Sequence, residues 1–402
     1  MIKIMAVNAG SSSLKFKLYE MPEEKVLCSG IYEKIGHEDG ISTFKYGDKK
    51  ETKILPLENH ATAVDDLVKE LKNKGIIENF DDLKVVGHRI VQGGSYFSKS
   101  VEFDKDTEDK IEKLIPLGPL HNPAHLTGFR AFKKIIPDVL ETATFDTAFH
   151  QTMDPQDYVY PIPYEYTENY GIRRYGAHGT SHNYVANLVI DKYFNGAKNT
   201  RIISCHLGSG SSITAIKDGK CVATSMGLSP LGGIMMGTRT GDIDPSVMNM
   251  VVQVSGKSCE EVYQMFNKKS GFLGVSGVSN DTREVEDAAK NGNERAAFAI
   301  QLFTRRACDF IGQYFVRLGG CDALIFTAGI GENSAEFRAN ILDELAEPLG
   351  IKYDKELNAQ IHGKEAVIST PDSKIKVIVV PTDEEVMIAR DAFKIYEEKI
   401  NE

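Results

Sequence analysis

Two glycine- and serine-rich turns, each lying between two predicted strands, constrain the fold of this chain more than any other feature. The first is NAGSSS, residues 8–13, between the apolar segment IKIMAV and the alternating segment LKFKLY. The second is HLGSGSS, residues 206–212, between RIISC and ITAI, and Asp218-Gly219 follows as a tight turn into a third strand. Because period-two alternation is typical of strands, each stretch predicts a β-hairpin.

The composition of these turns leaves two interpretations open. In the first the turn is ordinary: Gly10 supplies a positive φ and the serine hydroxyls satisfy backbone groups. In the second the small side chains let successive backbone N–H groups and hydroxyls approach a phosphate. The sequence of one loop does not distinguish a plain turn from an anion-binding loop, which we call an anion cradle. The rest of the sequence is needed to choose between them.

The two halves of the chain share a further pattern, which suggests a duplication. Each half contains a later strand that runs into a glycine-rich turn, LKVVGHRIVQGG at 83–94 and ALIFTAGIGENS at 323–334. Helical patterns at 62–74, 294–318 and 334–346 alternate with the strands. Strands that alternate with helices predict an α/β fold, built here from two similar halves.

A length of 402 residues allows two domains, each with its own core. We place the first in residues 1–150 plus 386–402 and the second in residues 151–385. After the strand KVIVVP, Thr382 and Glu385 have the spacing of a capping box, which predicts a last helix that packs back on the first domain. Two lobes joined by short crossings predict a cleft between them.

The composition excludes several classes of function. A net charge of −10 gives no electrostatic support for binding nucleic acid. No apolar run is long enough to cross a membrane, and no signal peptide precedes the first strand. The six cysteines are scattered without a C-x-x-C pair, as in a reduced protein. We therefore expect a cytoplasmic protein that binds neither nucleic acid nor membrane.

Two arginines lie in glycine-rich or apolar surroundings. Arg89 is in GHRIVQGG and Arg239 is in MMGTRTGDIDP. A single arginine is usually a solvated surface charge, but these neighbours predict side chains that are partly enclosed. An enclosed guanidinium group needs an anionic partner, and two of them suit the stabilisation of a transferring phosphoryl group.

An aspartate and a histidine are further candidates. Asp146 follows a short apolar strand in TATFDTAFHQ, and His178 lies in YGAHGTSH. Each has an ordinary alternative, a helix cap for the aspartate and a structural role for the histidine. Histidine pairs four residues apart lack the glutamate of H-E-x-x-H, so we predict no zinc site.

Glu384 and Glu385 compete for one role in metal binding. Glu385 is accounted for by the capping box, whereas Glu384 is not and lies at the predicted crossing between the lobes. A carboxylate at that place is suited to hold a hydrated Mg²⁺ on nucleotide phosphates.

Nine segments, taken in chain order, resemble the acetate kinase (acetokinase) family. They are NAGSSSLKF, GHRIVQGG, PLGPLHNPAH, FDTAFHQTM, YGAHGTSH, HLGSGSS, MGTRTGDIDP, AGIGENS and PTDEE, and they run from residue 8 to residue 385. The combination is specific although no single motif is. The resemblance implies the duplicated, two-lobed, ribonuclease H-like α/β fold of the acetate and sugar kinase/heat-shock/actin superfamily. It also implies an active site in the cleft and most of the nucleotide site in the C-terminal lobe.

The resemblance further implies reversible transfer of the ATP γ-phosphoryl group to acetate, giving acetyl phosphate and ADP, by a homodimer that uses Mg²⁺ or, as a substitute, Mn²⁺. The catalytic positions that match the family are Arg89, Asp146, His178 and Arg239, and the metal positions are Asn8 and Glu384. The substrate-binding positions are Arg89, Val91, Leu120, Ala177 and Pro230. The nucleotide positions are Asn8, Lys15, His206, Leu207, Gly208, Ser209, Gly210, Asp281, Thr282, Arg283, Gly329, Ile330, Gly331, Glu332 and Asn333.

The chemistry of the acceptor refines these implied roles. A carboxylate is already ionised at pH 7 and needs no strong base, so catalysis can rest on in-line positioning and charge stabilisation. His178 and Arg239 match transition-state stabilisers of the family. Asp146 matches its essential aspartate, and we expect it to orient an arginine or the metal shell rather than to transfer a proton.

Three positions depart from the family pattern, and they leave alternatives open. The chain has Gln92 where histidine is usual, Ser209 where asparagine is usual, and Ala177 where phenylalanine is usual. Ser209 keeps the backbone donors of its loop, so ATP use is expected to survive. Ala177 leaves acyl-chain selectivity open, and a propionate-preferring kinase is the alternative. A remote alternative is an actin- or chaperone-like nucleotide switch, which would need a partner-binding domain beyond the last helix.

Overall fold

The structure is a computed structural model that describes residues 1–401. Its internal contacts divide the chain into two compact units, Met1–Phe149 with the segment from Asp383 onward, and His150–Thr382. We call them unit 1 and unit 2. Within residues 1–401, no helix combines the length and the apolar composition that crossing a membrane requires.

The strands of unit 1 are β1 Ile2–Ala9, β2 Ser13–Met21, β3 Lys25–Glu33, β4 His37–Tyr46, β5 Lys49–Leu57, β6 Leu83–Ile90, β7 Val101–Glu102 and β8 Leu140–Phe145. They form one sheet in the order β5-β4-β3-β2-β1-β6-β8-β7. β1 pairs antiparallel with β2 and parallel with β6, which pairs parallel with β8. The predicted N-terminal hairpin is therefore confirmed, while the antiparallel strands β3 to β5 were not predicted.

The helices of unit 1 are α1 His60–Asn73, α2 Lys105–Lys113, α3 Asn122–Ile135 and the C-terminal helix Glu384–Ile400, with short 3₁₀ turns at Phe80–Asp82 and Ile115–Leu117. α1 and α3 cover one face of the sheet, where Val86 packs with Phe132. The C-terminal helix covers the opposite face: a Cβ at Gly87 would lie 2.6 Å from Ile388 Cγ2, so only glycine allows this approach. The predicted return of the last helix to the first sheet is confirmed.

The C-terminal helix begins differently from the prediction. Asp383 is its N-cap, and the Asp383 side chain accepts a hydrogen bond from Val386 N at 3.1 Å. The predicted capping box between Thr382 and Glu385 is therefore wrong. Thr382 belongs to unit 2, where its backbone N–H donates to Glu332 Oε1 at 3.0 Å.

The strands of unit 2 are β9 Arg201–Leu207, β10 Ser211–Lys217, β11 Lys220–Thr224, β12 Ala323–Thr327, β13 Ala366–Val367 and β14 Lys376–Val379. They form one sheet in the order β11-β10-β9-β12-β14-β13. The second hairpin is confirmed, since β10 pairs antiparallel with β9 and with β11. Asp218 and Gly219 have φ of 51° and 72°, as a two-residue hairpin turn requires.

The helices of unit 2 are α4 Pro155–Tyr158, α5 Glu165–Tyr170, α6 Gly179–Phe194, α7 Pro245–Ser255, α8 Cys259–Lys268, α9 Gly271–Ser276, α10 Thr282–Lys290, α11 Glu294–Leu318, α12 Ala328–Asn333, α13 Ala335–Leu349 and α14 Lys355–Gln360. α11 covers one face of the sheet, where Ile203 and Cys205 of β9 join an apolar core. Residues alternate across a strand, so Ser204 and His206 point to the other face. There they contact α6, and that face of β9 is polar.

Five strands have the same order and directions in both units, β3-β2-β1-β6-β8 in unit 1 and β11-β10-β9-β12-β14 in unit 2. In each, three antiparallel strands are followed by two more that run parallel to the third. The predicted α/β fold with duplicated halves is thus confirmed. In such sheets the carboxyl ends of the parallel strands are the usual place for a ligand.

Candidate active site

The carboxyl ends of the parallel strands in unit 1 carry three of the predicted site residues. Asn8 lies near the end of β1, Arg89 near the end of β6, and Asp146 directly after β8. Because neighbouring parallel strands end at one sheet edge, the three residues lie at the same edge. Glu384, the first residue of the C-terminal helix, joins them with Oε2 3.7 Å from Arg89 Nε.

Arg89 and Asp146 form a two-pronged ion pair. Arg89 Nε donates to Asp146 Oδ1 at 3.0 Å, and Nη2 donates to Oδ2 at 2.7 Å. The Asp146 side chain is 1% exposed and that of Arg89 is 19% exposed. Burial alone lowers the pKa of Arg89, but Asp146 and then Glu384 outweigh it and raise the pKa above its usual value. The guanidinium group is therefore a fixed cation whose orientation is set by Asp146.

Glu384 is a mostly buried carboxyl group in an anionic neighbourhood. Burial raises its pKa, and Asp146 and Glu385 raise it further, although Arg89 and Lys15 act in the opposite direction. Arg89 therefore does not compensate the Glu384 carboxylate fully. A further cation beside Glu384 would stabilise its ionised form.

Lys15 and Glu385 form an ion pair in unit 1. Lys15 lies on β2 opposite Asn8, and its ammonium group contacts the Glu385 carboxylate. Glu385 also has Oε2 3.8 Å from Lys17 Nζ. The structure thus gives Glu385 two lysine partners in place of the predicted capping role. Lys15 remains 53% exposed, so a ligand can reach it.

The N-terminal turn does not use a positive φ at Gly10. Gly10 N donates to Ser13 O at 2.8 Å, and a Cβ at Gly10 would lie 2.7 Å from Ser13 Oγ. Gly10 is absent from the positive-φ residues within 1–401, so that part of the ordinary-turn interpretation is wrong. His60 Nε2 donates to Gly10 O at 2.8 Å, which anchors the turn from outside. The anion-cradle interpretation stays a prediction.

The predicted substrate-lining residues of unit 1 differ in exposure. Val91 is buried, whereas Leu120 is 41% exposed. Asn122 ties their two segments together, because its side chain accepts from Gln92 N at 3.2 Å and donates to Gln92 O at 3.0 Å. An exposed leucine on a segment held in this way offers a fixed apolar surface.

Unit 2 contains a cavity of about 430 Å³ between the β9–β10 turn, the start of α10 and α12. The predicted nucleotide positions that line it are Gly208, Ser209, Asp281, Thr282, Arg283, Gly329, Ile330 and Asn333. Ser211 shapes the turn, since Gly208 N donates to its Oγ at 3.1 Å and Oγ donates to Gly208 O at 2.9 Å. A side chain at Gly208 would approach Ala328 and Gly329, so the small residue keeps this end of the cavity open.

Other predicted nucleotide positions of unit 2 lie outside that cavity: His206, Leu207, Gly210, Gly331 and Glu332. Leu207 is fully buried in the core. Glu332 Oε1 accepts from Ala328 N at 2.7 Å and from Thr382 N at 3.0 Å. The Glu332 side chain therefore supports the backbone behind α12 and does not face the cavity.

His178 and Arg239 both lie next to Gly210. A Cβ at Gly210 would lie 3.3 Å from His178 Nε2 and 3.5 Å from Arg239 Nη1. His178 precedes α6 with a left-handed φ of 58°, and its ring is stacked on His206 with the centroids 4.1 Å apart. Its Nδ1 lies 2.9 Å from Ser212 Oγ. Glycine at position 210 thus leaves both side chains room beside the loop.

Arg239 is a partly buried cation with neutral partners. Its Nη1 donates to Pro230 O at 3.0 Å, and within residues 1–401 it forms no ion pair. Burial lowers its pKa below the value usual for arginine. A guanidinium group in these surroundings is stabilised by an incoming anion, in contrast to Arg89, whose anion is part of the protein.

Ala177 lies beside flexible side chains. It is 2% exposed and packs with Met226 and Met236. His150 Nε2 donates to Ala177 O at 3.0 Å, which fixes the backbone at this position. Any pocket formed at Ala177 is therefore bounded by methionines, which adapt readily to a change of shape.

Three residues that line the cavity of unit 2 were not predicted, Asn280, Glu286 and Ser334. Asn280 and Ser334 directly adjoin predicted segments, so extending each motif by one residue would have found them. Glu286 follows Asp281 on α10 by more than one turn, and its Oε1 accepts from Ser334 Oγ at 2.6 Å. No local pattern distinguishes Glu286 from the other acidic residues of this helix.

The acetokinase family model matches residues 3–390 of this chain. The chain belongs to the acetokinase family. An acetate kinase of Macrococcus caseolyticus is 50% identical over 391 residues, which cover 97% of this chain and 98% of the relative. The predicted resemblance is therefore confirmed over nearly the whole chain.

Solved structures of acetokinase relatives agree with this assignment. The crystal structure of Porphyromonas gingivalis acetate kinase has a TM-score of 0.92 and 44% identity, covering 98% of this chain and 100% of that one. A propionate kinase from Francisella tularensis has the same TM-score with 41% identity and the same coverage. The acetokinase fold is thus confirmed, and both acyl kinases share it.

Proposed function

We propose that this acetokinase catalyses reversible transfer of the γ-phosphoryl group from ATP to acetate, giving acetyl phosphate and ADP. The observation that carries the proposal is Arg239, a partly buried guanidinium group that forms no ion pair within residues 1–401. A phosphoryl group is an anion that such a guanidinium binds well. The names of relatives at about half identity support acetate as the acceptor.

Acetate requires orientation and not activation in this scheme, because its carboxylate is ionised near neutral pH. Arg89 binds the acetate carboxylate, and Asp146 holds the Arg89 fork in place. Val91, Leu120, Ala177 and Pro230 are assigned to the methyl group. The Asp146 carboxylate accepts hydrogen bonds from Arg89, and we assign it no proton transfer.

His178 and Arg239 act on the transferring phosphoryl group. Both are adjacent to Gly210, which supports a shared target. Charge on the phosphoryl oxygens is stabilised by preorganised donors, the largest single contribution to most phosphoryl transfers. The cavity of about 430 Å³ is assigned to the nucleoside end of ATP, with Asp281, Thr282 and Arg283 along one wall.

Asn8 and Glu384 are the residues that would hold Mg²⁺ in unit 1. Their oxygen donors fit this ion. Burial, and then the carboxylates of Asp146 and Glu385, raise the pKa of Glu384, so a cation bound there would stabilise its ionised form. Within residues 1–401 no group of three or more histidine, cysteine, aspartate or glutamate side chains is placed to hold a metal ion. We therefore assign the remaining Mg²⁺ ligands to phosphate oxygens and water. When bound, Mg²⁺ neutralises charge on the phosphates of ATP.

A propionate-preferring kinase is the second candidate. Ala177 is smaller than the phenylalanine usual at this position, and it is flanked by two methionines. A solved relative with a TM-score of 0.92 is named a propionate kinase. A pocket discriminates one methylene by only about 1–3 kcal/mol, so a small enlargement suffices to change the preferred acid.

A cytoplasmic homodimer is the assembly we propose. One face of α7 exposes Val247, Met250 and Val254, which are 40%, 58% and 74% exposed, and no residue of α7 is buried. An apolar stripe of this kind is typical of a surface that a partner covers. Light scattering on the purified protein measures its oligomeric state. We expect a dimer for the parent protein and a monomer for Met250→Glu.

A hydroxamate assay for acyl phosphate tests the proposed activity. Formate, acetate, propionate and butyrate are each supplied with Mg-ATP, and parallel reactions contain a chelator. We expect the highest kcat/KM with acetate and no product without the divalent ion. Propionate above acetate would establish the second candidate, and no product with any acid would refute both.

A further inference from the structure

A chain of buried side chains in unit 2 ends on His178. Ser204 Oγ lies 2.9 Å from His182 Nδ1, and His182 Nε2 lies 2.7 Å from Ser212 Oγ. Ser212 Oγ in turn lies 2.9 Å from His178 Nδ1. Ser204, His182 and Ser212 are fully buried, and the proposed phosphoryl transfer gives none of them a role.

Ser212 is the junction of this chain, because its one hydroxyl group contacts a ring nitrogen of each histidine. A hydroxyl donates one hydrogen bond and accepts up to two. If Ser212 accepted from both rings, its own buried hydrogen would have no acceptor within residues 1–401. Ser212 therefore donates to one of the two nitrogens and accepts from an N–H at the other. Burial lowers the pKa of His182 well below 6.5, so this ring is neutral and carries one N–H. With His178 neutral, either His182 donates to Ser212 and Ser212 to His178, or the direction is reversed.

Ser204 selects between the two directions. Within residues 1–401, the only hydrogen-bond partner of its hydroxyl is His182 Nδ1. In the first direction Ser204 donates to Nδ1, and its hydrogen is used. In the reversed direction His182 Nδ1–H donates to Ser204, and the Ser204 hydrogen is buried without an acceptor. A buried donor without an acceptor is costly, so the first direction is the more stable one.

We propose that Ser204, His182 and Ser212 are positioning residues that direct a hydrogen bond to His178 Nδ1 and thereby hold the His178 proton on Nε2. Nε2 is the ring nitrogen beside Gly210 and Arg239. Neutral His178 then donates from Nε2 to a phosphoryl oxygen without first gaining a proton. The inference rests on the proposed phosphoryl transfer and adds which form of His178 performs it.

Three of the charged and titratable groups that face His178 favour the same form. They are His206, stacked on its ring from β9, His182 from α6 through Ser212, and Arg239 beside Gly210. None of these three is an anion, so protonation of His178 would add a positive charge next to Arg239. Turnover that depends on neutral His178 should not decline as the pH rises through 6.5 to 8.5, a range that spans the ordinary histidine pKa.

The first experiment reads the proton directly. The protein is labelled with ¹⁵N-histidine, and the ring nitrogens of His178, assigned by the loss of signal in His178→Gln, are observed by NMR at pH 8 without substrate. We expect a neutral ring with the proton on Nε2. A proton on Nδ1 would overturn the inference. The NMR experiment measures no activity, so its result does not depend on whether the parent protein makes acetyl phosphate. Only the assay for acetyl phosphate tests the proposed function.

Ser212→Ala is the second experiment. It removes the donor to Nδ1, so the His178 proton distributes between both nitrogens and the ring is held less firmly. Complete loss of one donor at the reacting group costs about 10²–10³-fold; a redistributed donor should cost less, about tenfold in kcat at pH 8. The loss should shrink as the pH is lowered far enough to protonate His178, because the protonated ring donates from Nε2 in any case.

Thr214→Val is the matched control. Thr214 is two residues further along β10 on the same face and lies opposite Ser204 of β9. Its Oγ1 lies 2.9 Å from Thr224 Oγ1, and within residues 1–401 it forms no hydrogen bond to a histidine. It should lose stability as Ser212→Ala does while keeping the parent pH profile and the parent NMR signals of His178. Equal pH profiles and signals in Ser212→Ala and the parent would overturn the inference. If Ser212→Ala does not fold, the NMR result on the parent decides.

Discussion

Replacing Arg89 and Asp146 by alanine, singly and together, separates an orienting role of the aspartate from a role in proton transfer. The two side chains share bonds of 3.0 and 2.7 Å, and Asp146 is almost fully buried. Arg89→Ala leaves the Asp146 carboxylate buried without its partner, and breaking such a pair destabilises a protein by about 3–5 kcal/mol. Asp146→Ala should cost less, because Arg89 is partly exposed and keeps Glu384 at 3.7 Å.

The double variant distinguishes an orienting role of Asp146 from a role in proton transfer. Each single variant should lose about 10²–10³-fold in kcat/KM, as for a donor at a reacting group. If Asp146 acts only by holding Arg89, the double variant should be no less active than Arg89→Ala. The unfolding free energy lost in the double variant should be smaller than the sum of the two single losses by about 0.5–3 kcal/mol, as for residues in direct contact.

The measurements are acyl phosphate formation for kcat/KM and denaturant unfolding for stability. Asp146→Asn is the control, since it keeps an acceptor for Arg89 Nε without the charge, and it should lie between the parent and Asp146→Ala. Losses that multiply in the double variant would refute the orienting role. So would a limb of the pH profile that is present in the parent and absent from Asp146→Asn.

Three further predictions follow from the contacts. Arg239→Ala should lose about 10²-fold or more in kcat/KM with parent-like denaturant unfolding, because it leaves no buried anion unpaired; near-normal activity would exclude Arg239 from the site. Asp383→Ala should lower the unfolding free energy by about 0.5–2 kcal/mol through the lost cap, whereas Glu385→Ala should leave helix content by circular dichroism unchanged, and the opposite ranking would restore the capping box. Ala177→Phe should lower the propionate-to-acetate ratio of kcat/KM, and an unchanged ratio in a folded variant would place Ala177 outside the acyl pocket.

The hairpins and the long helices could be predicted from the sequence because their signals are local. Alternating apolar residues around a small turn define β1–β2 and β9–β10, and an uninterrupted helical pattern defines α11, which the structure places at Glu294–Leu318. The strands β3 to β5 were missed because many of their side chains are exposed on both faces. Such strands depend on their neighbours in the sheet more than on their own pattern.

The start of the C-terminal helix shows where local signals become ambiguous. Thr382 and Asp383 are adjacent, and either is an acceptable cap. Distant contacts decide: Thr382 is held by Glu332, and its hydroxyl lies 2.8 Å from Ser181 Oγ. Asp383 is left to cap the helix. Because both deciding partners are far away in the sequence, no local rule would have chosen correctly.

In the candidate site, too, residues with a local sequence pattern could be predicted, whereas residues placed by distant contacts could not. The strand-end residues Arg89 and Asp146 could be predicted, because polar residues after buried strands are a visible pattern. The chain from Ser204 to His178 could not, because serine in a buried strand carries no pattern that names a histidine on α6 as its partner. Its existence depends on the side of β9 that faces α6, which only the packed sheet determines.

The two arginines should differ in what they require from the side chain, and lysine substitutions test this. Arg89 is already paired with a carboxylate, so it adds little net charge and acts through the direction of its donors. Strong net charge there would bind the acetate ground state as tightly as the transition state, and uniform binding does not raise kcat.

Arg239 has only neutral partners within residues 1–401, so its charge is what it offers to the phosphoryl oxygens. Lysine keeps the charge of arginine and loses its planar fork. Arg239→Lys should therefore recover about tenfold or more over Arg239→Ala in kcat/KM, a part of the loss expected for one donor, whereas Arg89→Lys should recover little over Arg89→Ala. Initial rates with the second substrate saturating measure both pairs. If lysine restored kcat/KM equally at both positions, Arg239 would not act mainly through its charge, nor Arg89 mainly through the direction of its donors.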